Sequence, residues 1–363
     1  MIVVAKVGTS SITNIHGEVE LTAIDKLCAE VATLRSRHHR VVIVTSGAIA
    51  AGLPALGLSG ARPGDPATLQ AISAVGQSRL MRVYDDCLAR HGLVGGQVLL
   101  APLDFVHRSQ YLHARGTLTR LLDLGVVPVV NENDAVADDE IRFGDNDRLA
   151  ALVAHLVNAD VLVMLTDTPG LLTADPRLDE EASLIEEIVE VDHELERVAG
   201  GSGSVHGSGG MASKLAAAKM AAWSGVRTVI AAAHRPGVLV AAVDGESGAG
   251  TVVRPHDRKL SARKLWIGFA VASSGTVVVD DGARRALVER RTSLLPAGVV
   301  EVQGDFDAED AVELADPAGH IFAKGLVRYD ATVLKDVAGS KTSELPDGLP
   351  HEVVHRDDLV VLP

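Results

Sequence analysis

Ile2-Val3-Val4-Ala5-Lys6-Val7-Gly8-Thr9-Ser10 opens the chain with an apolar, strand-like run that carries a lysine and ends in three small residues. A strand this apolar is normally buried on both faces, and an ammonium there is costly unless an anion receives it. The Gly8-Thr9-Ser10 turn supplies unhindered backbone N–H groups and two hydroxyls at the strand's carboxyl end, which is where open α/β sheets bind ligands. A lysine on an edge strand, snorkelling to water before an ordinary turn, would explain the same residues. The rest of the chain decides between the two.

Further strand-like runs at 41–45, 94–100, 126–130, 160–166 and 226–231 alternate with helix-like segments at 21–38, 66–91, 108–124, 146–158 and 211–224. Strands separated by helices need crossover connections, so the pattern predicts a three-layer αβα domain with a mostly parallel central sheet. Beyond about residue 260 the character changes. Short β-like runs at 276–279, 299–302, 311–314, 321–327 and 359–362 alternate with turns such as Pro296-Ala297-Gly298 and Asp316-Pro317-Ala318-Gly319. These predict a small all-β, barrel-like module. The expected organisation is an α/β domain over 1–258, a linker over 259–270 and the β module over 271–363.

A length of 363 residues suits two domains. Hydrophobic residues make up 47% and aromatics only 3%, so the core must be built from Val, Ile, Leu and Ala, the palette of a buried parallel sheet. A net charge of −14 argues against a general binder of nucleic acid or anionic membrane, and any anionic substrate must be met by a few local cations. Cys28 and Cys87 have no metal spacing around them and read as free thiols in a reducing compartment. The initial apolar run lacks a basic leader and a cleavage site, and no run approaches about eighteen apolar residues. The chain is therefore expected to be soluble and cytoplasmic.

Three more segments at predicted strand ends are rich in ligand-contacting groups. In Thr45-Ser46-Gly47-Ala48 a strand breaks and a helix starts, exposing N–H groups and a hydroxyl to an anion, although taken alone the segment reads more simply with Ser46 as a plain N-cap. Asn131-Glu132-Asn133-Asp134, followed by Gly144-Asp145-Asn146-Asp147, places a dense polar stretch directly after an apolar strand. Its carboxylates suit Mg²⁺, the orientation of cations, or a substrate ammonium. Finally, Thr166-Asp167 ends one strand, while the Gly-rich run closing in Ser208-Gly209-Gly210-Met211-Ala212-Ser213-Lys214 opens a helix. A lysine in a first helical turn opposes the helix dipole unless an anion also occupies that end. No Gly-Lys-Ser/Thr follows a strand, so this is not a Walker A loop.

These segments, with Ala74-Val75-Gly76-Gln77-Ser78-Arg79-Leu80 and Leu172-Thr173-Ala174-Asp175-Pro176-Arg177, are collinear with and resemble the glutamate 5-kinases of the amino acid kinase superfamily. The C-terminal runs Ser293–Gly298, Val302–Phe306 and Lys324–Tyr329 resemble the PUA module appended to bacterial members. The resemblance implies ATP-dependent phosphorylation of the side-chain carboxylate of L-glutamate, the first step of proline synthesis. It also implies a requirement for Mg²⁺ carried by ATP with no direct protein ligand, feedback inhibition by proline, and a homodimer or homotetramer.

Carried over by position, Lys6, Lys214 and Asp147 would be catalytic. Ser46, Gly47, Ala48, Asn131, Asp134, Asp145 and Asn146 would bind glutamate. Lys6, Gly8, Thr9, Ser10, Thr166, Asp167, Ser208, Gly209, Gly210, Met211, Ala212, Ser213 and Lys214 would bind ATP. The chain departs from the family pattern at Thr168-Pro169-Gly170-Leu171-Leu172 and at Ala212-Ser213, which bears on nucleotide contacts. Two other readings remain: a relative acting on aspartate or a nucleoside monophosphate, and a non-catalytic nucleic-acid binder on an inactive kinase scaffold. Against RNA binding, residues 271–363 hold 9 basic and 17 acidic side chains.

Overall fold

The structure is a computed structural model that describes residues 1–14, 16–58, 63–105, 107–136, 146–174, 179, 181–191, 195, 210–257, 259–271, 273–346 and 348–362. It divides into two compact units, Met1–Lys259 and Leu260–Pro363.

Among the described residues the first unit holds one eight-stranded sheet. Its strands are β1 (Ile2–Val7), β2 (Arg40–Val44), β3 (Gly95–Leu100), β4 (Val127–Glu132), β5 (Val161–Thr166), β6 (Glu187–Ile188), β7 (Arg227–Ala232) and β8 (Thr251–Val253), in the order β3-β4-β2-β1-β5-β7-β8-β6. Every pairing is parallel except β7 with β8. The helices are α1 (Leu21–Ser36), α2 (Ala48–Gly52), α3 (Pro66–Arg90), α4 (Arg108–Asp123), α5 (Asn146–Leu156), α6 (Met211–Trp223) and α7 (Val238–Asp244). All six residues of β1 are buried, as its apolar run requires. Val3, Ala5 and Val7 join Ile24, Leu27 and Leu34 of α1 and Leu80, Tyr84 and Leu88 of α3 in one core. Because side chains alternate along a strand, Lys6 takes the opposite face with Val4, the side on which its partner Asp147 lies in α5. Each fully buried Leu or Ile here contributes about 1.5–3 kcal/mol relative to exposure.

The register of the sheet sets out the site. Lys6 pairs with Val44 on one side and Met164 on the other, and Val44 pairs in turn with Val130. Ser46, just past β2, and Asn131 and Thr166, in the last residues of β4 and β5, therefore lie at the carboxyl ends around Lys6. The short α2 is pressed onto α3: a Cβ at Gly76 would lie 1.8 Å from the carbonyl oxygen of Ala48. Only glycine permits that approach, and it seats the Ser46-Gly47 junction against α3.

In the second unit a five-stranded sheet runs β10-β9-β11-β12-β13, from β9 (Gly275–Val279), β10 (Val299–Gly304), β11 (Ala311–Ala315), β12 (Ile321–Val327) and β13 (Val354–Val361). Three helices, α8 (Ala262–Leu265), α9 (Asp281–Arg290) and α10 (Ala331–Val337), accompany it. The sequence reading had no helix here. In α9 only Leu287 is buried, so no apolar stripe marks the helix, and Asp280 starts it by accepting a 2.7 Å bond from the Ala283 N–H. The core combines Val277, Val279, Leu314, Phe322, Val327, Tyr329 and Leu334.

Candidate active site

One strand and two helix starts meet at one buried carboxylate. Asp147, in the first turn of α5, is 1% exposed, and its Oδ1 lies 2.6 Å from the Lys6 ammonium. Its Oδ2 lies 3.4 Å from the ammonium of Lys214 in α6 and accepts a 2.7 Å bond from the Ser213 hydroxyl. Both lysines are buried, at 4% and 7% exposure. Lys6 comes from the first strand and Lys214 from a helix near the far end of the unit. The anion demanded by each buried cation is thus the same carboxylate.

Two buried ammoniums lie against one buried carboxylate. Burial, the largest influence on Asp147, pushes its carboxyl up, but the Lys6 and Lys214 charges outweigh it and hold the group at about 2, ionised at neutral pH. Burial pushes Lys214 below the ordinary lysine value; Asp147 pulls it back up, and Lys6 drives it further down. The arrangement preorganises two cations at one point, as the binding of an anion requires.

Beside it lies a chain of polar side chains. Asn146, next to Asp147, donates from Nδ2 to the Ser46 hydroxyl at 2.9 Å and to Asn131 Oδ1 at 3.2 Å. Ser46 is not the N-cap of α2. That position falls to Gly47, whose φ of +96° requires glycine, and which leaves the Ser46 hydroxyl for Asn146. Ala48 is the first residue of α2 and is buried. Asp134, just past β4, is half-buried and accepts a short hydrogen bond from the Ser73 hydroxyl of α3.

On the other side of Lys6, a Cβ on Gly8 would stand 3.5 Å from the lysine Nζ, so this turn passes directly beside the ammonium. Thr9 and Ser10 form a short 3-10 turn in which Ser10 is exposed. Thr166 is buried and donates to Asp167 Oδ1 at 3.0 Å, and the exposed Asp167 acts electrostatically on Lys214. Gly210 caps α6, with Met211, Ala212 and Ser213 in its first turn. Asp145, Ser208 and Gly209 lie outside the described residues.

Sequence reasoning assigned no role to Ser73 or to Gln77, both buried on α3. The available signal was their i,i+4 spacing on an otherwise apolar helix face, beside Leu69, Ile72 and Leu80.

Residues 1–232 match the amino acid kinase family and residues 275–349 the PUA domain. The glutamate 5-kinase of Moorella thermoacetica is 44% identical over 363 residues, covering 99% of this chain and 96% of that protein. The glutamate 5-kinase of Nocardia farcinica is 47% identical over 358 residues, covering 99% and 96%. Among solved structures, the carbamate kinase of Giardia lamblia bound to AMP-PNP covers 70% of this chain and 98% of its own, with a TM-score of 0.51 at 16% identity, a likeness of fold.

Proposed function

The chain belongs to the glutamate 5-kinases of the amino acid kinase family, enzymes that phosphorylate glutamate with ATP in proline biosynthesis, and we propose that Lys6 and Lys214 carry the transfer. The observation behind this reading is the pair of buried lysines sharing one buried carboxylate. A γ-carboxylate has a pKa near about 4.3 and is already an ionised nucleophile at pH 7, so no general base is needed. One of its oxygens bonds to the γ-phosphorus, the bond from that phosphorus to the bridging oxygen breaks, and ADP leaves with the electron pair. No proton moves. The barrier lies in driving an anion against a polyanion, and aligned cations and N–H groups lower it.

In this reading Lys6 and Lys214 donate to the β- and γ-phosphate oxygens, while Asp147 holds both ammoniums in place between them. Gly8, Thr9, Ser10, Thr166, Asp167 and the segment from Ser208 to Lys214 line the nucleotide. Asp147 is committed to the lysines. As the family resemblance implies, Mg²⁺ would arrive on ATP and screen charge on the phosphates.

Glutamate would lie along Ser46, Gly47, Ala48, Asn131, Asp134, Asp145 and Asn146. A free amino acid carries an ammonium, and Asp134, held by Ser73, offers the carboxylate for it. Asp134→Asn is expected to raise the KM for glutamate by roughly 10- to 100-fold, the worth of one charge-assisted hydrogen bond, with the KM for ATP within about twofold. Equal rises in both would contradict the assignment. The reading as a whole is tested by trapping the acyl phosphate with hydroxylamine, in parallel reactions with ATP and glutamate, aspartate or N-acetylglutamate. Glutamate should be strongly preferred; comparable hydroxamate from aspartate or N-acetylglutamate would overturn it.

Proline shares the α-carboxylate and ammonium of glutamate, which supports its role as a feedback inhibitor. The family resemblance supports a homodimer or homotetramer, and the free, buried Cys28 and Cys87 suit a reducing cytoplasm. No helix among the described residues is long and apolar enough to cross a membrane. For the C-terminal unit we favour a structural or regulatory role over RNA binding, because its acidic side chains outnumber its basic ones. The full chain should leave labelled tRNA unshifted on a native gel; tight, salt-sensitive binding would reverse this.

A further inference from the structure

We propose that Gln77 is a positioning residue for the acceptor amino acid, holding the far end of the amide chain Gln77–Asn131–Asn146–Ser46. All four side chains are buried, at 9%, 2%, 4% and 8% exposure. Amide oxygen and nitrogen have nearly the same shape, so such a chain can run in either direction unless something of fixed polarity anchors it. A backbone N–H is such an anchor, and that of Glu132 points at Asn131 Oδ1 at 2.9 Å. Asn131 must therefore turn its Nδ2 the other way, where Gln77 Oε1 accepts it at 2.8 Å. Asn146 must in turn present Nδ2 to Asn131 Oδ1 and to Ser46 Oγ.

Two groups are left pointing at the site with defined roles. Asn146 Oδ1 is buried and without a hydrogen-bond partner, an acceptor waiting for an N–H. The Ser46 oxygen is occupied as acceptor by Asn146, which frees its proton to be donated to an oxygen. An acceptor beside a donor matches a zwitterion, whose ammonium and carboxylate need one of each. Gln77 touches neither substrate. It holds the far end of the chain, and α3 is pinned there by the close approach of Gly76 to α2.

The inference rests on the glutamate-site reading above, and the kinetics separate the two. Gln77→Met keeps the length of the side chain but removes the acceptor, leaving the buried Asn131 Nδ2 unpaired and the far end of the chain unsupported. The KM for glutamate should rise by roughly tenfold, with the KM for ATP within about twofold and kcat within a few-fold. Gln77→Glu restores an acceptor oxygen and should restore the KM for glutamate.

Unchanged KM in Gln77→Met, parallel rises for both substrates, or Gln77→Glu as impaired as Gln77→Met would each overturn the proposal. If Gln77→Met does not fold, Gln77→Leu carries the same comparison. If neither folds while Gln77→Glu does, Gln77 is structural and the proposal fails. A wild-type enzyme without glutamate-dependent turnover would instead sink the parent reading.

Discussion

Asp147→Asn should lower kcat by on the order of 10³ and destabilise the protein at the same time. The substitution keeps the shape of the side chain and removes the one anion shared by two buried ammoniums. Breaking a buried ion pair by neutralising one partner costs about 3–5 kcal/mol, because the remaining charge is left buried without compensation. Here two like charges are left facing each other. The cheapest relief is for one lysine to lose its proton, and Lys214, already pushed below the ordinary value by burial, is the candidate. A neutral amine does little to draw charge from a transferring phosphoryl group.

Two pH signatures follow. The alkaline limb of kcat/KM for ATP should move to lower pH in the variant, since Asp147 raises the Lys214 value in the wild type. The folded Asp147 lies at about 2, below its ordinary 3.8, so its stabilisation is complete above about pH 4 and is lost as pH falls toward 2. The melting-temperature gap between wild type and variant should accordingly narrow across that window. A variant with near-wild-type kcat and an unmoved alkaline limb would remove Asp147 from the centre.

Lys6→Ala and Lys214→Ala should each cost on the order of 10²–10³ in kcat, as expected for losing one preorganised electrostatic stabiliser. Either variant leaves Asp147 paired with the other lysine, so the fold should survive and the loss should be read in kcat. The two differ in what surrounds them. Lys6 stands on a strand buried on both faces, beside Gly8. Lys214 projects from the first turns of a helix. A fall of less than tenfold in both would take them out of the mechanism.

Much of this arrangement was legible because it violates local preferences. Lys6 stands out in an apolar strand, Asn131 and Asp134 start abruptly where a buried strand ends, and Lys214 opposes the dipole of its own helix. The alternation of strands and helices was equally plain. The chain offers no local sign, however, that Asp147 in particular sits between the lysines, because that contact joins β1, α5 and α6. Ser46 reads as a helix cap until its hydroxyl is found occupied by Asn146, 100 residues away in sequence.

Gln77 is a similar case, visible only as a polar break in the apolar face of α3 because its partner, Asn131, is 54 residues distant. In the C-terminal unit α9 was missed for a different reason. Arg284, Arg285, Glu289 and Arg290 surround a single buried Leu287, so neither a helical nor a strand period emerges. β13 was recognised only at its apolar end, Leu359 onward, because the exposed Arg356 and Asp357 precede it.

The most direct test is a crystal structure of the enzyme with AMP-PNP, Mg²⁺ and glutamate. The account predicts the Nζ atoms of both Lys6 and Lys214 within about 3.2 Å of phosphate oxygens, with the glutamate side-chain carboxylate facing the γ-phosphate and its ammonium toward Asp134. A triphosphate bound elsewhere, with both lysines still closed on Asp147, would contradict it.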